Sequence, residues 1–150
     1  MLRARTSDHV PDGQVTRNAR VARTNLPLIL IVDPDEDSRR IFGAVLRANN
    51  YRTIEAIDAE EAWWGLTTNE VALVLLEVFG IDGTPPLRER IHALPSPPPL
   101  LAVTTQDERD GYECYLRKPC APQQLLREVR RALRSQPQDH RADNSTLGPA

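Results

Sequence analysis

Apolar runs alternate with helical patterns along the middle of the chain. The apolar stretches at 28–33, 71–78 and 99–105 predict strands covered on both faces, as in a parallel sheet. Shorter segments at 51–56 and 115–117 bring the predicted strands to five. Helices are predicted between and after them, over 36–49, 58–67, 85–94 and 122–134. This alternation predicts an α/β fold with a doubly wound, five-stranded parallel sheet.

Local signals support two of these helices. Asp58 is placed to cap the second helix, with Glu61 three positions on, as in a capping box. In the first helix, Ile41, Val45 and Leu46 are predicted to form the buried face. Trp63 and Trp64 are adjacent in the second helix, where successive side chains point about 100° apart, so one of the two is predicted to face outward.

The two ends of the chain differ from the middle. Residues 1–26 contain five arginines and no helical apolar face, which predicts a disordered N-terminal arm, or else residues upstream of the natural start. Residues 136–150 are polar and non-periodic, and predict a disordered tail. Residues 27–135 are therefore predicted to be the single folded domain, with 17 acidic and 13 basic side chains, a net charge of −4.

Composition narrows the class of protein. Of 150 residues, 40% are hydrophobic and 27% charged, and no apolar stretch approaches the ~18 residues that a membrane-spanning helix needs. The two cysteines, Cys114 and Cys120, match no metal or redox spacing, so we interpret them as reduced thiols of a cytoplasmic protein. The formal net charge of −2 gives no reason to expect nucleic-acid binding.

Four polar residues stand where predicted strands end. Asp33 ends the first strand, Glu77 lies near the end of the third, Thr104 is in the last part of the fourth, and Lys118 follows the fifth. The carboxyl ends of parallel strands meet at one edge of the sheet, where such folds bind ligands, so these side chains are expected to converge. Lys118 is the only lysine in a chain with eighteen arginines, which indicates that a compact ammonium is needed there.

Four motifs, taken in order, resemble the response-regulator receiver (CheY-like) domain. They are LILIVDPDEDSRRI, LVLLEVFGIDG, LLAVTTQ and YLRKP, and the resemblance covers nearly all of 28–134. The resemblance implies a flavodoxin-like fold and a signalling role. It also implies an acidic pair that binds magnesium, a phosphoacceptor aspartate, a hydroxyl sensor, a lysine sensor and a switch aromatic.

The match to these positions is partial, which predicts an atypical pseudo-receiver. The second acid of the pair falls on Pro34, which has no carboxylate, and the phosphoacceptor position falls on Glu77. The other positions of the pattern are filled, by Asp33 as the first acid, Thr104 as the hydroxyl sensor, Lys118 as the lysine and Tyr115 as the switch aromatic.

Glutamate at this position predicts that the pocket is not phosphorylated. An extra methylene displaces the attacking oxygen by roughly a bond length, and a misplacement of ~1 Å can slow such a transfer ~100-fold. No metal or other cofactor is expected, because Pro34 leaves Asp33, a weak magnesium candidate, and Glu77 as the one obvious acid pair, with Asp35 or Glu36 as the alternatives that could reach the site. Two interpretations of Glu77 stay open: it imitates a phosphorylated aspartate, or it only keeps Lys118 paired.

The predicted function is that of a stand-alone receiver-like module acting through protein–protein interaction, not that of an enzyme. The expected partner is a histidine kinase or a downstream effector. The alternatives are a conventional phosphorelay regulator and, with less support, a nucleic-acid-binding regulator that uses the arginines of the N-terminal arm 1–26 and of 122–134. The polar crossover 106–114 is too short for a full fourth helix, which predicts at most one helical turn there and a partner surface beside the last helix.

Overall fold

The computed structural model describes residues 25–78, 84–105, 112 and 114–135. Five strands are present in this part of the chain: β1 (Leu28–Val32), β2 (Arg52–Ala56), β3 (Leu73–Glu77), β4 (Leu100–Thr104) and β5 (Cys114–Arg117). Four helices accompany them: α1 (Glu36–Ala48), α2 (Ala59–Thr68), α3 (Thr84–His92) and α4 (Pro122–Arg134). None of these helices is long and apolar enough to cross a membrane.

The strands form one parallel sheet in the order β2-β1-β3-β4-β5. All five residues of β1 and of β3 are buried, whereas the edge strands β2 and β5 are only partly covered. The uninterrupted apolar runs are thus the central strands, as expected for strands buried on both faces. The predicted five-stranded, doubly wound α/β fold is confirmed.

Alternate residues of the central strands enter two apolar cores on opposite faces of the sheet. Ile29 and Ile31 of β1 lie in the core that α1 and α4 cover. Leu30 and Val32 lie in the core on the other face, with residues of α2 and α3. Because side chains alternate across a strand, a single strand supplies both cores and fixes the sheet between the helix layers.

One predicted core residue is wrong. Ile41 is 61% exposed, and the buried face of α1 is formed instead by Phe42, Gly43 and Leu46, with Val45 partly buried beside it. The predicted face was rotated by one residue, because Ile41 and Phe42 fit the helical period almost equally well and the phenyl ring is the one that packs on the sheet.

The local helix signals of α2 agree with the structure. Asp58 caps α2 by accepting a hydrogen bond from the Glu61 amide at 2.8 Å. The Glu61 carboxylate in turn accepts a hydrogen bond from the Ile57 amide at 2.9 Å. Of the adjacent tryptophans, Trp63 packs against the core and Trp64 is 69% exposed. One of the pair therefore faces outward, as predicted.

Three predictions lie wholly or largely outside the described residues. They are the N-terminal arm 1–26, of which only Asn25 and Leu26 are described, the tail 136–150, and the shortened crossover 106–114. A short or missing helix in that crossover stays a prediction.

Candidate functional site: a charge cluster at the carboxyl edge of the sheet

Three charged side chains meet at the carboxyl edge of the sheet. Asp33 directly follows β1, Glu77 is the last residue of β3, and Lys118 directly follows β5. β1 and β3 are neighbours, which places the two carboxylates side by side. The backbone amide of Lys118 donates to the carbonyl of Thr104 at 2.8 Å, so the lysine continues the β4–β5 ladder before its side chain reaches across to the acids.

The ammonium of Lys118 has three oxygen partners. It donates to Oδ2 of Asp33 in a short contact, lies 2.8 Å from Oε2 of Glu77, and donates to Oγ of Ser38 at 3.1 Å. An ammonium carries three N–H donors and no acceptor. Each donor therefore has one oxygen of this chain available to it, and the cluster is internally satisfied.

Burial makes these contacts strong. The residues Asp33 and Glu77 are 2% and 6% exposed, and only 14% of the Lys118 side chain is exposed. Burial alone would lower the pKa of Lys118, but the hydrogen bonds and charges of Asp33 and Glu77 outweigh it and raise that pKa above its usual value. Lys118 is therefore held as a cation between two buried acids.

Backbone and α1 contacts fix Asp33 in place. Its Oδ1 accepts from the amide of Asp35 at 2.8 Å, and its backbone carbonyl accepts from the guanidinium of Arg39 at 2.7 Å. Both oxygens of the carboxylate thus have a donor, Oδ1 in the backbone and Oδ2 in Lys118. The ring of Phe42 lies below the ammonium, with 5.6 Å between Nζ and the ring centroid, and adds a cation–π contact.

Ser38 is a member of the cluster that the sequence analysis missed. Its hydroxyl accepts from Lys118 and donates to Oδ2 of Asp35 at 2.7 Å, while its amide donates to the same oxygen at 3.0 Å. These hydrogen bonds lower the pKa of Asp35, which is the N-cap of α1. The D-x-x-S spacing is a usual capping signal, but nothing local to it indicates that the serine also faces a lysine eighty residues away.

Thr104 and Tyr115 occupy the strand positions predicted for them. Thr104 ends β4 and is fully buried, and its carbonyl holds the backbone of Lys118. Tyr115 is in β5, half-buried, paired in register with Ala102. Asp33, Glu77, Lys118 and the Thr104 backbone therefore lie at one edge of the sheet.

The described acids around Asp33 are held by contacts within the chain. Pro34 offers no carboxylate, and Asp35 turns to cap α1. Glu36 pairs instead with Arg40 at 3.0 Å on the surface. Within the described residues, no three His, Cys, Asp or Glu side chains lie close enough together to hold a metal ion. Among the described residues, Asp33 and Glu77 are the acids left at this position, and both already bind Lys118.

The fold is that of a response-regulator receiver domain, and the chain belongs to that CheY-like family. It is 30% identical to a structure assigned to a response regulator of Chloroflexus aurantiacus J-10-fl, with a TM-score of 0.66, over 73% of this chain and 98% of that one. It is 29% identical to the signal receiver domain of an HD-domain-containing protein of Pseudomonas fluorescens Pf-5, with a TM-score of 0.64, over 74% and 97% of the chains.

A more distant structure shares the fold, and a curated relative matches this chain over part of its length. A CheY-like receiver domain protein of Methanospirillum hungatei JF-1 is 24% identical, with a TM-score of 0.67 over 74% of this chain and 96% of that one, and shares the fold. The transcriptional regulatory protein SrrA of Staphylococcus aureus is 28% identical over 119 residues. That match covers 71% of this chain and 47% of SrrA, so the chain spans about half the length of its curated relative. No family model matches the chain.

Proposed function

We propose that this chain is a pseudo-receiver: a signalling module that acts through protein–protein contacts and is not switched by phosphorylation of its pocket. The observation that carries the proposal is the set of three oxygens around the Lys118 ammonium, from Asp33, Glu77 and Ser38. In a phosphorylated receiver a lysine at this position contacts the phosphoryl group. Here that contact would require one of the three existing hydrogen bonds to break.

The position of Glu77 argues against its acting as a phosphoacceptor. Phosphoryl transfer to a carboxylate depends on in-line placement of the attacking oxygen, and the protein supplies mainly position and charge. The Oε2 oxygen of Glu77 is 2.8 Å from Lys118, and the side chain is buried. A carboxylate that is longer by one methylene and fixed by an ion pair is poorly placed to attack a donor.

We extend the proposal to the cofactor: the pocket works without magnesium. The net charge of Asp33, Glu77 and Lys118 is −1, against −2 for the two acids alone, so the lysine already neutralises much of the charge that a divalent ion would balance. Magnesium prefers near-octahedral oxygen ligands and is reluctant to lose its water. An ion would therefore have to compete with Lys118 for both of its carboxylates.

In this proposal Glu77 is a permanent partner of Lys118, and the pocket has one state. A glutamate brings one charge and two oxygens, whereas a phosphoryl group brings about two charges and three oxygens. The remaining way for the domain to pass on a signal is for its surface to be recognised by another protein, such as a histidine kinase or a downstream effector. Receiver domains are signalling modules, so the proposed function does not require this chain to catalyse a reaction.

The test is phosphorylation of the purified chain by a small-molecule donor. The protein is incubated with acetyl phosphate and magnesium, and its intact mass is measured over time. In parallel, beryllofluoride is added while Trp fluorescence is followed. We expect no added mass and no fluorescence change. A phosphoryl adduct at Glu77 would contradict the proposal and identify a conventional phosphorelay regulator, and saturable magnesium binding would contradict the part of the proposal that concerns the cofactor.

Two variants serve as controls for that test. Glu77→Asp alone is expected to restore little labelling, because Pro34 still lacks the second carboxylate. Glu77→Asp combined with Pro34→Asp supplies both missing acids and should be labelled faster than the single variant, because magnesium then has a second carboxylate to bind. Rapid labelling of Glu77→Asp alone would show that the extra methylene is the sole barrier and that the magnesium part of the proposal is wrong.

A further inference from the structure

A shallow groove with an acidic rim lies between β2 and α2, at the edge of the sheet farthest from β5. Its lining includes Ile54, Gly65 and Trp64, and the carboxylates Glu55 and Glu61. Trp64 is 69% exposed, the largest exposed fraction among the big apolar side chains of the described residues. Glu61 also takes part in the capping box of α2, but the exposed Trp64 indole and the exposed Glu55 carboxylate have no comparable role in the described part of the chain.

The chemistry of the groove suits an arginine side chain. A guanidinium stacks on the face of an indole and donates to carboxylates through a planar fork of N–H groups. Its aliphatic stem packs on an apolar floor such as that of Ile54. The neighbouring tryptophan already makes such a contact within the chain, since the Arg90 guanidinium lies 4.0 Å from the ring centroid of Trp63. Trp64 has the same ring without such a partner among the described residues.

The outer face of α4 presents arginines at helical spacing. Arg127, Arg130, Arg131 and Arg134 follow an i, i+3, i+4, i+7 pattern, which places them on one side of the helix. All four are exposed, whereas the opposite side is buried through Leu125, Leu126, Val129 and Ala132. Within the described part of the chain, the stripe makes one ion pair, a loose one of 3.9 Å between Arg131 and Glu128.

We propose that the groove binds the arginine stripe of α4 from a second copy of the chain. Both surfaces belong to this chain, they are opposite in charge, and each is exposed. The stripe is arginine throughout, and arginine rather than lysine stacks on aromatic rings and binds carboxylates in a bidentate way. The second copy is therefore the occupant for which the chain itself supplies matching chemistry.

The location of the two surfaces determines the type of assembly. The groove is beside β2, while α4 packs on the opposite face of the sheet, mainly against β5 and β4. One molecule can therefore present its groove and its stripe at the same time. Such a contact is heterologous, and copies add head to tail instead of closing as a symmetric pair through one shared patch.

This association is expected to be weak and sensitive to salt. The groove is shallow, and the pairs it forms are only partly removed from water, where ion pairs are screened. Neither the groove nor the arginine stripe includes the Asp33–Lys118–Glu77 cluster. Self-association through the groove is therefore independent of the proposed lack of phosphorylation, and an experiment that contradicts one of the two proposals leaves the other valid.

The test measures mass against protein concentration by analytical ultracentrifugation, at about 50 mM and about 500 mM salt. A groove variant carries Glu55→Arg and Trp64→Ala, and a stripe variant carries Arg127→Glu, Arg130→Glu and Arg134→Glu. The matched control is Glu89→Arg, which reverses an exposed acid on α3 outside the groove. Urea unfolding checks that each variant is folded.

The expected pattern separates a head-to-tail contact from all others. The native chain and Glu89→Arg should grow in mass with concentration at low salt, and high salt should reduce this. Each variant alone should associate at least about tenfold more weakly. An equal mixture of the two variants should form a complex of two chains and no larger species, because one intact groove and one intact stripe remain.

Three results would overturn the inference. The first is a native chain that stays monomeric at all concentrations at low salt. The second is a groove variant that still associates, which would indicate a symmetric contact through α4. The third is a monomeric native chain whose stripe binds mixed-sequence DNA with a steep salt dependence, which would assign α4 to nucleic acid instead.

Discussion

The carboxyl edge of the sheet and the groove beside β2 both contain acids close to an aromatic ring, but they differ in what those acids contact. At the carboxyl edge, Asp33 and Glu77 are buried and bound to Lys118. In the groove, Glu55 and Trp64 are exposed, and within the described residues Glu55 has no ion-pair partner. The first site is satisfied from within, and the second is open to another molecule.

The difference indicates which of the two regions is suited to carry a signal. A buried acid with a buried partner mainly contributes to the stability of the fold, since removal of either partner leaves the other charge buried without a counter-ion. An exposed acid next to an exposed indole contributes little to the fold and can bind a partner at little cost in desolvation. We therefore expect substitutions at the carboxyl edge to affect stability, and substitutions in the groove to affect association.

The largest expected effect is that of Lys118→Met. The change leaves Asp33 and Glu77 buried beside each other without a cation, and loss of one partner from a buried pair typically destabilises by about 3–5 kcal/mol. The free energy of unfolding is measured by urea denaturation at pH 7. The matched control is Arg40→Met, which removes an ion pair that is exposed on both sides and is expected to change stability by less than about 1 kcal/mol.

A small effect of Lys118→Met would contradict this part of the comparison. It would mean that water reaches Asp33 and Glu77 easily, and that the carboxyl edge is as open as the groove. The further addition of Asp33→Asn and Glu77→Gln should recover part of the lost stability, because neutral amides have less to lose on burial than unpaired carboxylates.

The adjacent tryptophans provide the next largest difference. Trp63→Ala removes a ring that packs on the core and stacks with Arg90, and should destabilise by about 2–4 kcal/mol. Trp64→Ala removes a ring that is 69% exposed, and should change stability by less than about 0.5 kcal/mol. Thermal or urea unfolding of the two variants checks this. Equal losses would place Trp64 in the fold rather than in a binding surface.

A smaller effect is expected for Ser38→Ala. The serine hydroxyl joins Lys118 to the N-cap of α1, and its loss removes two side-chain hydrogen bonds from a partly exposed position. We expect a loss of about 1 kcal/mol in urea unfolding. Thr67→Ala is the control, because the Thr67 hydroxyl contacts only backbone carbonyls of its own helix. A loss no larger than that of the control would show that the Ser38 hydroxyl does not stabilise the cluster.

The smallest expected effect is a change in pH dependence at Asp35. Hydrogen bonds from Ser38 lower the pKa of Asp35 below its ordinary value of 3.8. A group whose folded pKa is lowered adds stability above its unfolded pKa and loses it as the pH falls through the folded pKa. Asn is also a good N-cap, so Asp35→Asn should lose a little stability at pH 7 and none at pH values well below 3.8. Unfolding curves from pH 2 to pH 7 test this, and a difference that does not vary with pH would contradict it.

Much of the fold could be predicted from the sequence because its strands are unusually clear. The central strands β1, β3 and β4 are short, apolar and buried on both faces, so they are recognisable without any knowledge of their neighbours. The buried face of α1 was harder to predict, because Ile41 and Phe42 are adjacent and both apolar. Which of them packs on the sheet is decided by tertiary contacts that a helical period does not contain.

The candidate site divides in the same way. Asp33, Glu77 and Lys118 could be predicted to meet, because the carboxyl ends of parallel strands share one edge. The role of Ser38 could not, since it depends on the distance between α1 and the loop after β5 and not on any local pattern. The groove was missed for a similar reason: Glu55 on a strand and Trp64 on the next helix become neighbours only when α2 packs against β2.

The most direct test of the central claim uses the fact that Lys118 is the only lysine in the chain. Labelling with 15N-lysine gives a single side-chain ammonium signal in the NMR spectrum. If Lys118 is held by Asp33, Glu77 and Ser38, this signal should exchange slowly with water and persist above pH 10.5, its ordinary pKa. It should also remain unchanged when magnesium and beryllofluoride are added. A signal that exchanges rapidly would show that the pocket is open to water, and a signal that shifts on addition of magnesium and beryllofluoride would show that the pocket binds a phosphoryl mimic, as a phosphorylatable receiver does.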